Sequence, residues 1–155
     1  MEIEVYSQFS EWIYMVKAAE LWFHSAHHLT KGTGFSGDHV NLYGVIYTEL
    51  QEEFDAVAER VLGLTNDEGL LCPKHTIAGA SKILETYPSP VNMSDHDIAM
   101  AAHQIILNYC LWENNFHTLV DQQGLLTIGL DDLLSGNASN HERYVYLLQQ
   151  RIKKQ

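Results

Sequence analysis

Apolar side chains recur at intervals of three and four residues along four long stretches of the chain, which predicts four amphipathic α-helices. The predicted helices cover residues 6–30, 37–64, 95–119 and 127–153. Ser94 is a suitable N-cap for the third helix, because Asp97 follows it three residues later. The last helix contains the sequence SGNASN, whose residues are poor helix formers, so this helix can kink or break there.

The segment between the second and third predicted helices lacks a long apolar period. Its centre, HTIAGASKILET, predicts a short helix, which the sequence YPSP would end. The chain contains no repeat, interdomain linker or β-hairpin pattern. We therefore predict one all-α domain over residues 1–155, a four-helix bundle with a long crossover between helices 2 and 3.

Composition narrows the classes of function that suit this bundle. The chain is 46% apolar and 19% charged, which is typical of a globular protein. A net charge of −11 disfavours binding to DNA or to anionic membranes and favours cations, and nine histidines add metal ligands. Two cysteines, Cys72 and Cys110, without an apparent leader or membrane segment indicate a reduced, cytoplasmic protein.

Candidate metal ligands lie on the first two predicted helices. His27 falls on the apolar stripe of its helix, and Asp55 and Glu59 share one helix face because they are four residues apart. Each feature alone also has an ordinary explanation, a core histidine or a solvated acidic surface. The chain contains no Glu-x-x-His motif, and Glu20 is the one clear carboxylate on a core stripe. This disfavours a di-iron site inside one bundle.

Four sequence segments together resemble a known family. HHLTKGTGFSGDH, residues 27–39, is followed by YTELQEEFDAVAERVLGL and later by CPKHTIAGASKILET and DLLSGNASNHERYVYLLQQ. In this order they resemble Dps, the DNA-protecting mini-ferritin of starved cells. The resemblance implies a ferritin-like fold with a short helix in the crossover, assembled into a hollow dodecamer.

The resemblance also implies a site and an activity. In Dps proteins an iron site lies between two subunits related by a twofold axis. By residue matching, one subunit would supply His27 and His39, and the other Asp55 and Glu59. The implied activity is a ferroxidase that oxidises Fe²⁺ to Fe³⁺, with hydrogen peroxide or dioxygen as oxidant. The ferric iron is then stored, which protects against oxidative stress; the same ligands also suit zinc or manganese.

One departure from the family concerns the spacing of these ligands. His39 and Asp55 are one residue further apart than in typical Dps proteins. One extra residue in a helix turns every preceding side chain by about 100°. A π-helical turn near residues 44–46 would absorb it. Alternatively, the extra residue lies in the turn before His39, and Asp38 takes the ligand role.

Other departures concern mineral growth and additional metal positions. The family's acidic residues just after the second histidine are missing from VNLYGVI; the next ones are Glu49, Glu52 and Glu53. His28 replaces the family's tryptophan and shares a helix face with His24. These two histidines are either an extra metal position or supporting surface residues, and we favour the second interpretation.

Asp121 and Asp132 match family positions that line the pores through which iron passes, although the spacing here is two residues longer. Alternatively, both residues are ordinary solvated carboxylates beside a loop. The lysine-rich tail of DNA-binding Dps proteins is absent from this sequence, and Arg151, Lys153 and Lys154 form only a small basic patch. We expect weak or no DNA binding. A metal-binding or DNA-shielding cage with reduced ferroxidase activity remains the alternative function.

Overall fold

A computed structural model of the chain describes residues 3–153, so Lys154 lies outside it. Four long helices and two shorter ones follow in chain order: α1 Ile3–Leu29, α2 Phe35–Gly37, α3 Gly44–Thr65, α4 Pro73–Leu84, α5 Asp95–Gln122 and α6 Ile128–Ile152. Helices α1, α3, α5 and α6 form the bundle, and α4 lies in the crossover and packs on α1. The predicted all-α bundle with a short crossover helix is confirmed.

Local sequence signals explain most helix ends. The Ser94 hydroxyl accepts a hydrogen bond from the Asp97 amide at 3.0 Å, as predicted, and the Thr127 hydroxyl caps α6 in the same way. The break allowed at SGNASN is not present, because α6 continues through these residues. Leu134, Asn137 and His141 are buried on one side of this segment, and tertiary packing of this kind outweighs weak helix propensity.

The connection between α1 and α3 contains a π-helix over Asp38–Tyr43, which continues directly into α3. A π-helix holds one more residue per hydrogen-bonded turn than an α-helix, so it accommodates an insertion without disturbing the helix that follows. A π-helical turn is therefore present in this connection, but it covers Asp38–Tyr43 and not the predicted residues 44–46, which are α-helical.

An ion-pair network fixes this connection to the start of α5 and the end of α6. Arg151, near the end of α6, contacts Asp38 through Nε at 2.8 Å and Asp95 through Nη2 at 2.9 Å. Asp95 also accepts a hydrogen bond from the backbone amide of Gly34 at 3.1 Å. The network holds the glycine-rich turn and the start of the π-helix. Arg151 is consequently neutralised, which leaves the basic patch weaker than its sequence suggests.

Cys72 and Cys110 are free thiols, and both are partly buried. Within residues 3–153, no helix is long and apolar enough to cross a membrane.

Candidate metal centre

His27 and His39 form a reciprocal pair at the junction of α1 and the π-helix. The Nδ1 of His39 hydrogen-bonds to the backbone carbonyl of His27 at 2.6 Å, and the Nδ1 of His27 hydrogen-bonds to the carbonyl of His39. Their rings stack with centroids 3.8 Å apart and planes 11° from parallel. We call these two residues the histidine pair.

This arrangement sets the tautomer of both rings. A carbonyl oxygen only accepts hydrogen bonds, so each Nδ1 must carry the hydrogen. Each neutral ring then has its lone pair on Nε2, the form in which imidazole binds a metal. The backbone carbonyls also fix the ring orientations, as the outer hydrogen bonds of metal-binding histidines do.

Electrostatics keeps the His27 ring in this form. Burial lowers the pKa of His27, and the neighbouring rings of His39, His28 and His24 lower it further, while the hydrogen bond to the His39 carbonyl opposes them. A lowered pKa keeps the ring neutral near pH 7.

Gly44 makes the close approach of the two rings possible. A Cβ at this position would lie 2.6 Å from the His39 carbonyl oxygen and 3.2 Å from the His27 Nδ1. Only glycine fits against the pair without displacing it.

Asp55 and Glu59 lie on α3 and are exposed. Within residues 3–153, the one cluster of three or more potential metal ligands with atoms within 4.8 Å consists of other residues. A single chain therefore does not gather the histidine pair and these two carboxylates into one site. The four residues would need a second copy of the chain to meet.

The structure gives Asp38 a different environment. Its side chain is buried, with both oxygens bonded to Arg151 at 2.8 and 3.0 Å and one also accepting from the Thr30 hydroxyl at 3.3 Å. These contacts commit Asp38 to holding the connection in place. Of the two alternatives for the fourth ligand, His39 has the free Nε2 and Asp38 has no uncommitted oxygen.

The predicted pore residues lie on either side of the turn between α5 and α6. Asp121 is in the last turn of α5 and Asp132 is near the start of α6, and both are exposed. Their proximity to a threefold axis would require the assembled protein.

A second histidine site lies inside the bundle. His141 of α6 contacts Glu113 of α5 through Nδ1 and lies 3.0 Å from Glu53 of α3 through Nε2. All three side chains are at least nine-tenths buried. We call this cluster of Glu53, Glu113 and His141 the buried triad.

The buried triad holds an imidazolium between two carboxyl groups. Burial favours the neutral ring, but Glu53 and Glu113 outweigh it and raise the pKa of His141 to about 10. For Glu113, burial favours the neutral carboxyl group and raises its pKa to about 6, although the neighbouring His141 acts in the opposite direction. Both ring nitrogens therefore donate hydrogen bonds, and His141 would have to lose a proton before it could bind a metal.

The triad overturns one sequence-based conclusion. Glu20 is buried, but it is not the one core carboxylate, because Glu53 and Glu113 are also buried. The sequence did contain a signal that these two glutamates are buried, namely their spacing from apolar residues on the same helix. Glu53 follows Leu50 by three residues and Glu113 precedes Phe116 by three, so both lie on apolar stripes.

The carboxylates after the second histidine are largely engaged. Glu49 bonds to Arg143 at 2.8 and 3.0 Å and accepts from the Tyr144 hydroxyl, while Glu53 belongs to the buried triad. Glu52 is exposed.

Comparison with known proteins identifies the architecture. The sequence matches no protein-family model and no curated protein. The structure is similar to the crystal structure of a Dps protein from Bacillus brevis, with a TM-score of 0.79 and 17% sequence identity. The alignment covers 99% of this chain and 100% of the other. This chain therefore has the fold of a Dps protein.

Proposed function

We propose that this chain is a Dps-like mini-ferritin that oxidises Fe²⁺ at a site shared between two copies. His27 and His39 of one copy and Asp55 and Glu59 of the other bind the iron. The observation that carries this proposal is the histidine pair, in which both Nε2 lone pairs are available while both Nδ1 atoms are held by backbone carbonyls. The Dps fold supports the same assignment.

The chemistry follows from the ligand types. Two imidazoles and two carboxylates suit Fe²⁺, and the negative carboxylates stabilise the Fe³⁺ that forms. Two Fe²⁺ ions give one electron each to hydrogen peroxide, which is reduced to two hydroxide ions. Removing peroxide and ferrous iron together prevents the formation of hydroxyl radicals. We propose hydrogen peroxide as the preferred oxidant, with dioxygen as the slower one.

The assembly that we propose is a cytoplasmic dodecamer with sites at its twofold interfaces. Asp121 and Asp132 would line the pores through which iron passes. DNA binding is weak or absent, since the net charge is −11 and Arg151 is paired with two aspartates.

Asp55→Ala is the direct test of this proposal. We expect rapid Fe²⁺ oxidation to be lost in stopped-flow absorbance, because a carboxylate ligand is missing. Assembly by size-exclusion chromatography should stay nearly intact, because Asp55→Ala removes one carboxylate that is exposed in the single chain and no part of its buried core. Glu85→Ala, another exposed carboxylate, is the matched control and should oxidise iron normally.

Mixing two inactive variants tests whether the site is shared. In a pair made of one His27→Ala chain and one Asp55→Ala chain, one of the two symmetry-related sites is intact. Chains refolded together in equal amounts should therefore regain about one quarter of the wild-type oxidation rate. A mixture as inactive as its components would contradict the shared site.

The second candidate function is a cage that binds iron without growing mineral. It is favoured by the engagement of Glu49 with Arg143 and of Glu53 with His141. Loading the protein with Fe²⁺ and hydrogen peroxide, followed by sizing, distinguishes the two. Iron that co-elutes well above two ions per site supports storage, and a cage that retains no excess iron supports the second candidate.

A further inference from the structure

A second pair of histidines lies on the outer face of α1, one helical turn apart. His24 and His28 are both exposed, and their Nε2 atoms lie 3.3 Å from each other. The ring centroids are 5.0 Å apart. We call these residues the outer pair, and the iron site described above does not use them.

The separation of the two nitrogens matches a tetrahedral metal ion. Two nitrogen ligands at about 2.0–2.1 Å from zinc and at the tetrahedral angle lie about 3.3–3.4 Å apart. A direct hydrogen bond between the rings would bring the nitrogens closer, to about 2.9–3.0 Å. Histidines four residues apart on a helix are a known zinc-binding arrangement.

Neighbouring side chains hold the outer pair in position. The His24 ring stacks on Tyr47 of α3, with centroids 4.4 Å apart and planes at 19°. The His28 ring contacts the edge of His27 at 4.8 Å between centroids. The rings are therefore arranged before an ion arrives, which lowers the entropic cost of binding.

We propose that His24 and His28 bind a zinc-class divalent cation through their two Nε2 atoms, at a position separate from the histidine pair. Water completes the tetrahedral coordination. Imidazole ligands without carboxylates favour zinc over iron, which is bound better by the mixed ligands of the proposed iron site. The inference does not depend on iron oxidation, because it rests only on the geometry of α1 and α3.

The test is calorimetric titration of the purified protein with Zn²⁺ at pH 7.5, together with the absorption spectrum of bound Co²⁺. His28→Ala and His24→Ala should each weaken this zinc site by at least about tenfold, since even the loss of an orienting partner costs about 10–100-fold. The absorption bands of tetrahedral Co²⁺ should be lost as well. His75→Ala, an exposed histidine on α4, is the matched control and should bind zinc as wild type does.

A double variant removes the contribution of the histidine pair to zinc binding. His27→Ala combined with His39→Ala should still bind one Zn²⁺ per chain, and adding His28→Ala should abolish that binding. Zinc binding that is lost in the double variant but unchanged in His28→Ala would overturn the proposal. The zinc titration is carried out without iron, so its outcome does not depend on whether the proposed iron site is active.

Discussion

Two histidine sites in this molecule use the same side chain in opposite protonation states. In the histidine pair, half-buried rings donate from Nδ1 to backbone carbonyls and keep a lone pair on Nε2. In the buried triad, His141 donates from both nitrogens to carboxyl groups and carries a positive charge. The first arrangement leaves a lone pair available on each Nε2, and the second already contains a cation, the imidazolium itself.

The difference shows that neighbouring carboxylates decide the charge of a histidine on an apolar stripe. At His27, burial and the neighbouring rings outweigh the carbonyl hydrogen bond and keep the imidazole neutral, whereas at His141 two carboxylates outweigh burial and favour the imidazolium. Position on an apolar stripe does not distinguish the two, since both His27 and His141 occupy such a stripe.

Alanine variants of His141 and His27 should show the largest difference: the first should lose stability and the second should lose iron oxidation. His141→Ala leaves Glu53 and Glu113 buried without their cation, and breaking such a pair costs about 3–5 kcal/mol. His27→Ala removes a half-exposed ring and should cost about 1 kcal/mol or less, while Fe²⁺ oxidation is lost. Urea unfolding at pH 7 measures the first effect and stopped-flow oxidation the second.

His141→Gln, which keeps a hydrogen-bond donor, provides a milder variant in case the alanine variant does not fold. Equal losses of stability in the His141 and His27 variants would contradict the contrast.

Raising the pH should weaken the fold through the buried triad. The native pKa of His141, about 10, exceeds the ordinary value of 6.5, so folding retains a proton that the unfolded chain releases. This stabilisation is complete below pH 6.5 and is lost as the pH rises through about 10. Between pH 7 and 9.5 we expect a loss on the order of 2–3 kcal/mol.

The measurement is urea unfolding across this pH range at one protein concentration. His141→Gln lacks the titrating ring, so its stability should fall less than that of the wild type. Parallel curves for the two proteins would mean that the triad is not the cause.

Glu113 should also reduce stability as the pH rises, but in the range between pH 4.5 and 6, because its pKa is raised to about 6 in the folded protein.

A small substitution should disturb the histidine pair alone. In Gly44→Ala the new methyl group meets the His39 carbonyl and the His27 ring, and overpacking of this kind costs about 1–3 kcal/mol. Iron oxidation should slow because the two rings separate. Gly63→Ala on the same helix has open space around its Cβ and should instead stabilise by about 0.5–1 kcal/mol. Comparable behaviour of the two variants would exclude the proposed role of Gly44.

The sequence was sufficient for the helices because their signals are local. Apolar periodicity and the caps at Ser94 and Thr127 depend on residues three or four apart. The buried triad joins three helices, with Glu53 and His141 88 positions apart in the sequence, and no local spacing signals such a contact. The sequence shows that the three triad residues lie on apolar stripes of their helices, but only the packed bundle shows that these stripes meet at one point.

The histidine pair was predictable only in part, because its residues can be identified from the sequence but its geometry depends on the folded main chain. The identities of His27 and His39 followed from the family resemblance, and the extra residue after His39 suggested a π-helix. The reciprocal bonds to backbone carbonyls were not predictable, because they depend on how the π-helix and Gly44 set the path of the main chain. Side-chain types alone do not specify that path.

The π-helix over Asp38–Tyr43 also gives the chain tolerance to a change in length. Removing one residue between Val40 and Tyr43 would convert the segment to an ordinary α-helical turn. The side chains before and after it would keep their directions, whereas a deletion in an α-helix rotates everything beyond it by about 100°. Among the described helices, this is the segment in which a one-residue deletion should leave the histidine pair and the carboxylates of α3 in their present positions.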